Sequence, residues 1–256
     1  MEVVILAGGL GTRLSEETAV QPKPMVTIGN KPIITHIMEH YSSAGFNDFV
    51  ICCGYKGYMI KEFFSNYALH LADVYVDVRM RSVTYLSEDV GNAWKVLCSD
   101  TGDKTNTGGR VKRIKDYIKS DTFMLTYGDG LCDIDIQRLV EYHKKSGLTV
   151  TLTAVQPPGR YGSLSMNADQ NKVEEFIEKP QGDNSFISGG FFVVEKSVLD
   201  MIEDDDCCWE TEILPRLAAK GELGCYVHKG YWRAMDTIRD RSLLEIEWPK
   251  VKRANG

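Results

Sequence analysis

The chain has 256 residues, of which 43% are hydrophobic and 26% charged, with a formal net charge of −6. This composition predicts a soluble globular protein with a substantial core, and the acidic balance excludes a general nucleic-acid binder. No run of 18 apolar residues occurs, so we expect a cytoplasmic protein that does not bind membranes. The seven cysteines show neither CxxC spacing nor a nearby histidine pair, which predicts reduced thiols and argues against zinc.

The first predicted strand covers residues 3–6 and runs into a glycine-rich turn. Gly8, Gly9 and Gly11 allow backbone N–H groups to approach a ligand, and Arg13 can donate a fork of N–H groups to phosphate oxygens. The pattern indicates a nucleotide phosphate site of undetermined type. Leu14 replaces the third glycine of a dinucleotide fingerprint, and no Gly-Lys-Ser/Thr closes a P-loop.

Lys23 lies between two prolines, Pro22 and Pro24, in the next segment. The prolines predict a stiff, extended stretch and argue against a helix there. Lys23 is therefore either a solvated loop lysine or a preorganised phosphate contact, and the rigid flanks favour the contact.

Strands and helices then alternate. A helix is predicted from Lys31 to Ala44, a strand over 46–53 and a helix over 59–67, an order typical of a parallel sheet with covering helices. The second strand ends in Cys52 and Cys53, without the acidic residue that would hold the ribose of NAD.

The middle of the chain contains an acidic candidate site. Alternation over 72–86 predicts antiparallel strands or an excursion from the sheet. Residues 100–110 are predicted to form a polar loop, and residues 111–118 a helix that begins just after Arg110. A core strand over 122–126 is followed by Asp129 between two glycines. Such an aspartate is a metal ligand or a turn residue, and the neighbouring phosphate loop favours the metal.

The second half carries shorter elements. Short strands are predicted over 163–166 and 173–178, and an aromatic strand over 186–193 is interrupted by two glycines, which suggests close approach of a ligand. Asp236 precedes the last helix and is either its N-cap or a ligand. The tail, 250–256, is expected to fray.

Six motifs in order cover nearly the whole chain: LAGGLGTRL, PKPM, GDG, EKP, a GG-containing strand and MDT. As a set they resemble the sugar-nucleotide pyrophosphorylases, the sugar-1-phosphate nucleotidylyltransferases. The resemblance implies one α/β domain over 1–256, with a Rossmann-like, mixed, mostly parallel sheet, flanking helices and a smaller β-rich sugar-binding portion. It implies that 1–155 mainly bind nucleotide and 156–256 mainly bind sugar phosphate, and that the chain forms a homo-oligomer.

Within the family, the SEET run, TGGR loop, QPPGR segment and WxxMDT ending resemble the members that use CTP and glucose 1-phosphate. The resemblance implies synthesis of CDP-glucose and pyrophosphate with Mg²⁺ as cofactor. The same reaction with UTP or dTTP, a non-catalytic nucleotide-binding relative, and an NAD(P)-dependent oxidoreductase are the alternatives. Gln21 departs from the family pattern, where a lysine is expected before PKP.

The resemblance also assigns roles to residues. Arg13, Lys23 and Asp129 are the expected catalytic residues: Arg13 for the β- and γ-phosphates, Lys23 for charge at the α-phosphate, and Asp129 with Asp236 for Mg²⁺. Nucleotide contacts are expected from Leu6, Ala7, Gly8, Gly9, Leu10, Gly11, Thr12, Thr105 and Gly128. The expected sugar-phosphate residues are Gly162, Glu178, Lys179 and Gly189. Because cytosine presents an acceptor at N3 where uracil presents a donor, we hypothesise that Arg110 selects cytosine.

Overall fold

The fold is built on one large sheet. The computed structural model describes residues 1–86, 93–157, 163–167, 172–177 and 186–255. Its strands are β1 (Val3–Ala7), β2 (Thr27–Ile28), β3 (Lys31–Pro32), β4 (Asp48–Cys53), β5 (Val74–Asp77), β6 (Ser82–Tyr85), β7 (Lys95–Asp100), β8 (Thr122–Tyr127), β9 (Gly130–Cys132), β10 (Val150–Val155), β11 (Ser163–Asn167), β12 (Lys172–Ile177), β13 (Ile187–Ser188), β14 (Phe192–Glu195), β15 (Leu223–His228) and β16 (Trp232–Ala234).

Helices connect these strands. They are α1 (Ser15–Thr18), α2 (Ile33–Ser43), α3 (Gly57–Ser65), α4 (Tyr67–Leu71), α5 (Thr107–Arg113), α6 (Ile136–Ser146), α7 (Leu214–Ala219) and α8 (Ile238–Asn255). Short 3₁₀ turns cover Thr12–Leu14, Lys23–Met25, Lys115–Tyr117 and Lys196–Met201, and a π-helical turn covers Trp209–Ile213. Among the residues described, none of these helices combines the length and apolar composition that crossing a membrane requires.

The large sheet has eight strands in the order β7–β4–β1–β8–β14–β10–β15, with β13 also paired to β10. β7, β4, β1, β8, β10 and β15 run parallel, whereas β13 and β14 run antiparallel to them. This arrangement confirms the predicted mixed, mostly parallel sheet. Strands from the second half of the chain complete the same sheet, so both halves share one scaffold.

Alternation along β1 sends its side chains into two core layers. Val3, Ile5 and Ala7 pack on the α2 face, and Val4 and Leu6 pack on the opposite face. All five are buried, as expected for a central parallel strand covered on both sides. Burying a Val, Ile or Leu side chain contributes about 1.5–3 kcal/mol, so the four larger side chains of β1 strongly favour its central position.

A short antiparallel ladder, β9 with β16, lies outside the large sheet. Trp232 pairs with Cys132, Arg233 with Leu131, and Ala234 with Gly130. This pairing joins the segment after β8 to the segment before α8. The predicted antiparallel strands in 72–86 are also found, as the separate hairpin of β5 and β6.

Two local predictions were wrong. The segment around Lys23 forms a 3₁₀ turn, because Pro24 has a φ suited to the first turn of a helix. Helix α5 begins at Thr107, so Arg110 lies inside it rather than before it. Helix α8 extends to Asn255, and the ammonium of Lys252 contacts the Glu39 carboxylate at 2.5 Å; fraying of the tail stays a prediction.

Candidate active site

The candidate site lies at the carboxyl ends of the parallel strands, where ligands bind in open α/β sheets. A cavity of about 260 Å³ opens there beside the glycine turn that follows β1. Its lining consists of Leu6, Ala7, Gly8, Gly9, Gly11, Lys23, Pro24, Thr105, Asn106, Thr107, Arg110, Tyr127, Gly128 and Asp129. The structure therefore gathers most of the expected nucleotide contacts around one cavity. Leu10, Thr12 and Arg13 continue the glycine turn as exposed residues.

Lys23 joins the two aspartates that the sequence singled out. Its ammonium lies 2.5 Å from Asp129 Oδ2 and 2.9 Å from Asp236 Oδ1. Burial lowers the pKa of Lys23, but the two carboxylates outweigh burial, and the net pKa lies above the ordinary lysine value. Lys23 is thus a charged ammonium that contacts two carboxylates and offsets one of their two negative charges. Asp236 is not the N-cap of α8, because the helix begins at Ile238 and the Thr237 hydroxyl accepts from the Asp240 N–H at 3.2 Å.

Backbone contacts fix the positions of these three residues. The N–H of Gly128 donates to the carbonyl of Leu6 at 2.9 Å, and the N–H of Met235 donates to the carbonyl of Asp129 at 2.8 Å. A Cβ on Gly128 would lie 3.0 Å from both the Leu6 carbonyl oxygen and the Pro24 ring, so a side chain would separate the two segments. The β9–β16 ladder then brings Asp236 beside Asp129.

Arg13 extends this charged group towards solvent. Its side chain is 79% exposed, and its guanidinium lies 3.6 Å from Asp236 Oδ2. The preceding turn depends on Gly11, whose φ of +64° favours glycine, and whose carbonyl accepts from the Leu14 N–H. An exposed arginine at this position remains available to an anion that enters the cavity.

Arg110 is buried beneath the glycine turn, with only 4% of its surface exposed. Its two terminal nitrogens donate to the Gly8, Cys53, Gly102 and Asp103 carbonyls and the Thr101 hydroxyl, at 2.6–3.4 Å.

These five acceptors are neutral, and burial lowers the pKa of the guanidinium, although arginine stays protonated in proteins. A Cβ on Gly8 would lie 2.2 Å from Nη1, so glycine is required at this contact. The base-reading role of Arg110 stays a prediction, and its contacts supply another role: joining the loops that follow β1, β4 and β7.

A carboxylate that sequence reasoning missed supports the opposite wall of the cavity. Glu210 accepts hydrogen bonds from the Tyr127 and Thr107 hydroxyls, each at 2.6 Å, and from the Cys208 thiol at 3.2 Å. Burial, followed by the Glu210 charge, raises the pKa of Tyr127. The π-helical turn that carries Glu210 gave no recognisable sequence signal, since an acidic residue after a tryptophan is common on surfaces.

The donor set at Asp129 and Asp236 fits a divalent cation. Mg²⁺ is commonly held by one or two carboxylates together with substrate phosphate oxygens and water. The two carboxylates are partly exposed, at 28% and 32%, and an oxygen of each lies within hydrogen-bonding distance of the same nitrogen. Both could therefore contribute oxygens to one ion near the cavity mouth.

The residues expected to hold the sugar phosphate are only partly described. Gly189 lies between β13 and β14, where Trp232 Nε1 donates to its carbonyl at 2.8 Å. A Cβ there would come within 2.9 Å of Val155. Gly162, Glu178 and Lys179 lie outside the described residues.

Comparison with known proteins places this site in a family. A model described as nucleotidyl transferase matches residues 2–247. A Salmonella typhimurium protein named glucose-1-phosphate cytidylyltransferase is 53% identical over 98% of this chain and 97% of its own length. A Bacillus subtilis protein named probable glucose-1-phosphate cytidylyltransferase is 40% identical over 96% of this chain and 94% of its own length. The crystal structure of HddC from Yersinia pseudotuberculosis has a TM-score of 0.69 at 25% identity, covering 96% of this chain and 99% of that one.

We predict that Glu210→Ala raises the KM for the nucleoside triphosphate about tenfold, with a smaller change in kcat. The Tyr127 and Thr107 hydroxyls would lose a shared acceptor, and two hydrogen bonds of about 1 kcal/mol each are sufficient for this effect. Steady-state kinetics of pyrophosphate release measure both constants.

Glu210→Gln should recover part of the affinity, because one acceptor oxygen remains. Glu203→Ala, at a side chain that is 79% exposed, is the matched control and should leave KM unchanged. Equal KM values for Glu210→Ala and wild type would show that this carboxylate does not organise the cavity.

Proposed function

This chain belongs to the nucleotidyl transferase family, and we propose that it transfers a cytidylyl group from CTP to α-D-glucose 1-phosphate, releasing pyrophosphate. The single observation that carries the proposal is the 53% identity, over almost the whole of both chains, to a relative named for that activity. The Lys23–Asp129–Asp236 cluster supports catalysis rather than nucleotide sensing alone. Family membership also disfavours the oxidoreductase alternative.

The substrate chemistry explains the residues of the cavity. A phosphate monoester has a second pKa near 6, so a sugar 1-phosphate is already an anionic nucleophile at neutral pH and needs no general base. The protein must instead bring two polyanions together, align them and neutralise the charge that develops on departing pyrophosphate. Backbone N–H groups, cationic side chains and a divalent ion suit that task.

Each charged residue has a role in this scheme. The N–H groups of the turn from Gly8 to Thr12 donate to the triphosphate, and Arg13 neutralises its outer phosphates. Lys23 donates to oxygens at the α-phosphate, where charge accumulates during transfer. Its dual contact with the aspartates holds its ammonium at the cavity edge and orients it for that role.

We assign the cofactor as Mg²⁺, held by Asp129 and Asp236. When bound, such an ion neutralises phosphate charge and orients the triphosphate for in-line attack. The oxygen-only donor set favours Mg²⁺ over softer metals.

The sugar-phosphate half is proposed to lie in 156–256, and the nucleotide half in 1–155. Gly189 supports this assignment because it neighbours Trp232, close to the end of β8. Glu178 is proposed to hold sugar hydroxyls, Lys179 the sugar phosphate, and Gly162 the pocket wall. The phosphorylated substrates and the seven unpaired cysteines fit the cytoplasm.

We also propose a homo-oligomer, assembled through the hairpin of β5 and β6. Large apolar residues are exposed along the hairpin: Tyr75, Val76, Val78, Met80, Val83 and Tyr85. An isolated two-stranded hairpin is marginally stable in water, and exposed apolar patches of this kind mark interfaces. A second copy of the chain would bury the exposed apolar side chains and stabilise the hairpin.

A nucleotide panel tests the proposed activity. With glucose 1-phosphate and Mg²⁺, we expect pyrophosphate release at least tenfold faster with CTP than with UTP or dTTP. Chelation by EDTA should abolish the reaction. Asp129→Asn and Asp236→Asn should each lower kcat by about 100-fold or more, because each removes a ligand of the Mg²⁺ ion that neutralises phosphate charge.

Faster release with UTP or dTTP would reassign the nucleotide while keeping the reaction class. If no nucleotide gave pyrophosphate release, the proposed enzymatic activity would be refuted. Asp135→Asn, at the N-cap of α6, is the matched control, since its carboxylate accepts from the Arg138 N–H and lies outside the cavity lining.

Arg110→Lys separates the two roles assigned to Arg110. If the residue organises the loops, the KM values for CTP and UTP rise together, by about tenfold or more, and their ratio is preserved. Because both terminal nitrogens are engaged by protein acceptors, we expect this outcome.

A selective loss of CTP preference would instead establish Arg110 as the residue that reads cytosine. The neighbouring Lys112→Arg is the matched control, since Lys112 contacts the Glu203 carbonyl on the surface. Thermal unfolding of Arg110→Lys verifies that the variant is folded.

The hairpin prediction concerns assembly. Val76 and Val83 are cross-strand partners, so Val76→Lys with Val83→Glu removes apolar surface while an ion pair keeps the strands together. We expect the double variant to sediment as a 28.8 kDa monomer and wild type as a larger species. Ile246→Lys, at an apolar side chain that is exposed on α8, should not change the mass. A monomeric wild type would refute the assembly.

A further inference from the structure

Three potential metal-binding side chains meet at the end of the β9–β16 ladder that is remote from Asp129. Cys132 ends β9, Asp133 follows it, and His228 ends β15. One ligand atom from each lies within 4.8 Å of the others. The sequence spacing argued against zinc, because His228 is far from the other two along the chain, and folding alone brings the set together.

The geometry of the cluster is fixed by its neighbours. His228 Nε2 lies 2.9 Å from Asp133 Oδ1, and the same oxygen accepts from the Tyr231 N–H at 2.7 Å. A Cβ on Gly230 would lie 2.4 Å from Asp133 Oδ1 and 2.7 Å from the imidazole. The turn after β15 therefore needs glycine in order to wrap closely around the cluster.

Access to the cluster is from one side. Cys132 is buried, whereas the side chains of His228 and Asp133 are 11% and 21% exposed. An ion could enter past the imidazole and carboxylate and reach the thiol behind them. Such a site has three protein ligands and leaves a fourth position for water, as in many four-coordinate zinc sites.

We propose that Cys132, Asp133 and His228 form a second metal site, specific for a thiolate-binding divalent ion such as Zn²⁺ and distinct from the Asp129–Asp236 site. Sulfur, nitrogen and oxygen donors together suit Zn²⁺, whereas Mg²⁺ demands oxygen ligands. The donor atoms therefore favour Mg²⁺ at the Asp129–Asp236 site and Zn²⁺ at the second site.

Binding requires the thiol to lose its proton. Cys132 is buried, and a cysteine binds a metal ion as the thiolate. On binding, the thiolate sulfur forms a bond to the ion and the thiol proton passes to water. With Nε2 as the ligand, the imidazole binds the ion in its neutral form, with its proton on Nδ1.

The position of the site suggests what it does. Asp133 donates its N–H to the Tyr231 carbonyl at one end of the ladder, and Asp129 accepts from the Met235 N–H at the other. Asp129 and Asp133 are four residues apart, roughly 13 Å along an extended strand. An ion at the cluster would fasten β9 and β15 together and hold the ladder that positions Asp129 and Asp236.

Cobalt substitution tests the site without relying on activity. The full-length chain is stripped of metal and titrated with Co²⁺, in an Asp129→Asn/Asp236→Asn background that removes the other site. We expect one Co²⁺ per chain and a near-ultraviolet band from sulfur-to-cobalt charge transfer. Cys132→Ser should abolish the band, and the matched control Cys225→Ser, at an exposed thiol, should retain it.

Zinc titration supplies a second measurement. Zn²⁺ at about 100 times Kd should raise the thermal midpoint by about 5–10 °C, and His228→Gln should weaken binding at least tenfold. His228→Gln keeps the proposal testable if Cys132→Ser fails to fold. A missing charge-transfer band, or equal Zn²⁺ affinity in wild type and His228→Gln, would overturn the proposal.

Discussion

The active site depends on the ammonium of Lys23. Two ionised carboxylates from distant parts of the chain repel each other, and a positive charge between them offsets that repulsion. At 4 Å and an effective dielectric constant near 20, opposite unit charges attract by roughly 4 kcal/mol, and like charges repel by as much. The 3₁₀ turn around Lys23, the close approach at Gly128 and the β9–β16 ladder all serve to bring three charges to one point.

Two further charged groups organise the cavity by a different principle. Arg110 donates to backbone carbonyls and a hydroxyl, and Glu210 accepts from hydroxyls and a thiol. Neither charge is neutralised by these partners, so each keeps part of its electrostatic field. A buried cation beneath the glycine turn favours an entering triphosphate, and the half-buried Glu210 carboxylate orients the Tyr127 and Thr107 hydroxyls in the cavity lining.

Much of the fold could be predicted from the sequence, because strand and helix patterns follow from local alternation of apolar residues. The parallel strands β1 and β4, the hairpin in 72–86 and the interrupted strand around Gly189 are examples, whereas the mixed character of the sheet came from the family resemblance. Proline misled at Lys23, because Pro24 suits the first turn of a helix as well as an extended chain.

Contacts between distant segments carried no local signal. Glu210 approaches Tyr127 only through the packing of a π-helical turn, and Cys132 meets His228 only through the ladder. The resemblance to family motifs identified Asp129 and Asp236 as metal ligands. Their positions in the sequence, more than 100 residues apart, gave no sign that they lie together.

The contact between Gly8 and Arg110 makes these two positions interdependent in any evolutionary change of the site. The guanidinium occupies the space that a Cβ at position 8 would need, so a larger residue there is tolerated only after position 110 shortens. Shortening position 110 first removes the guanidinium donor from the Gly102 and Asp103 carbonyls, and one of several donors from the Gly8 and Cys53 carbonyls. Each single step therefore passes through a damaged intermediate, although the double change need not be damaging. Substitutions at positions 8 and 110 are therefore constrained more strongly together than they would be if the two positions were independent.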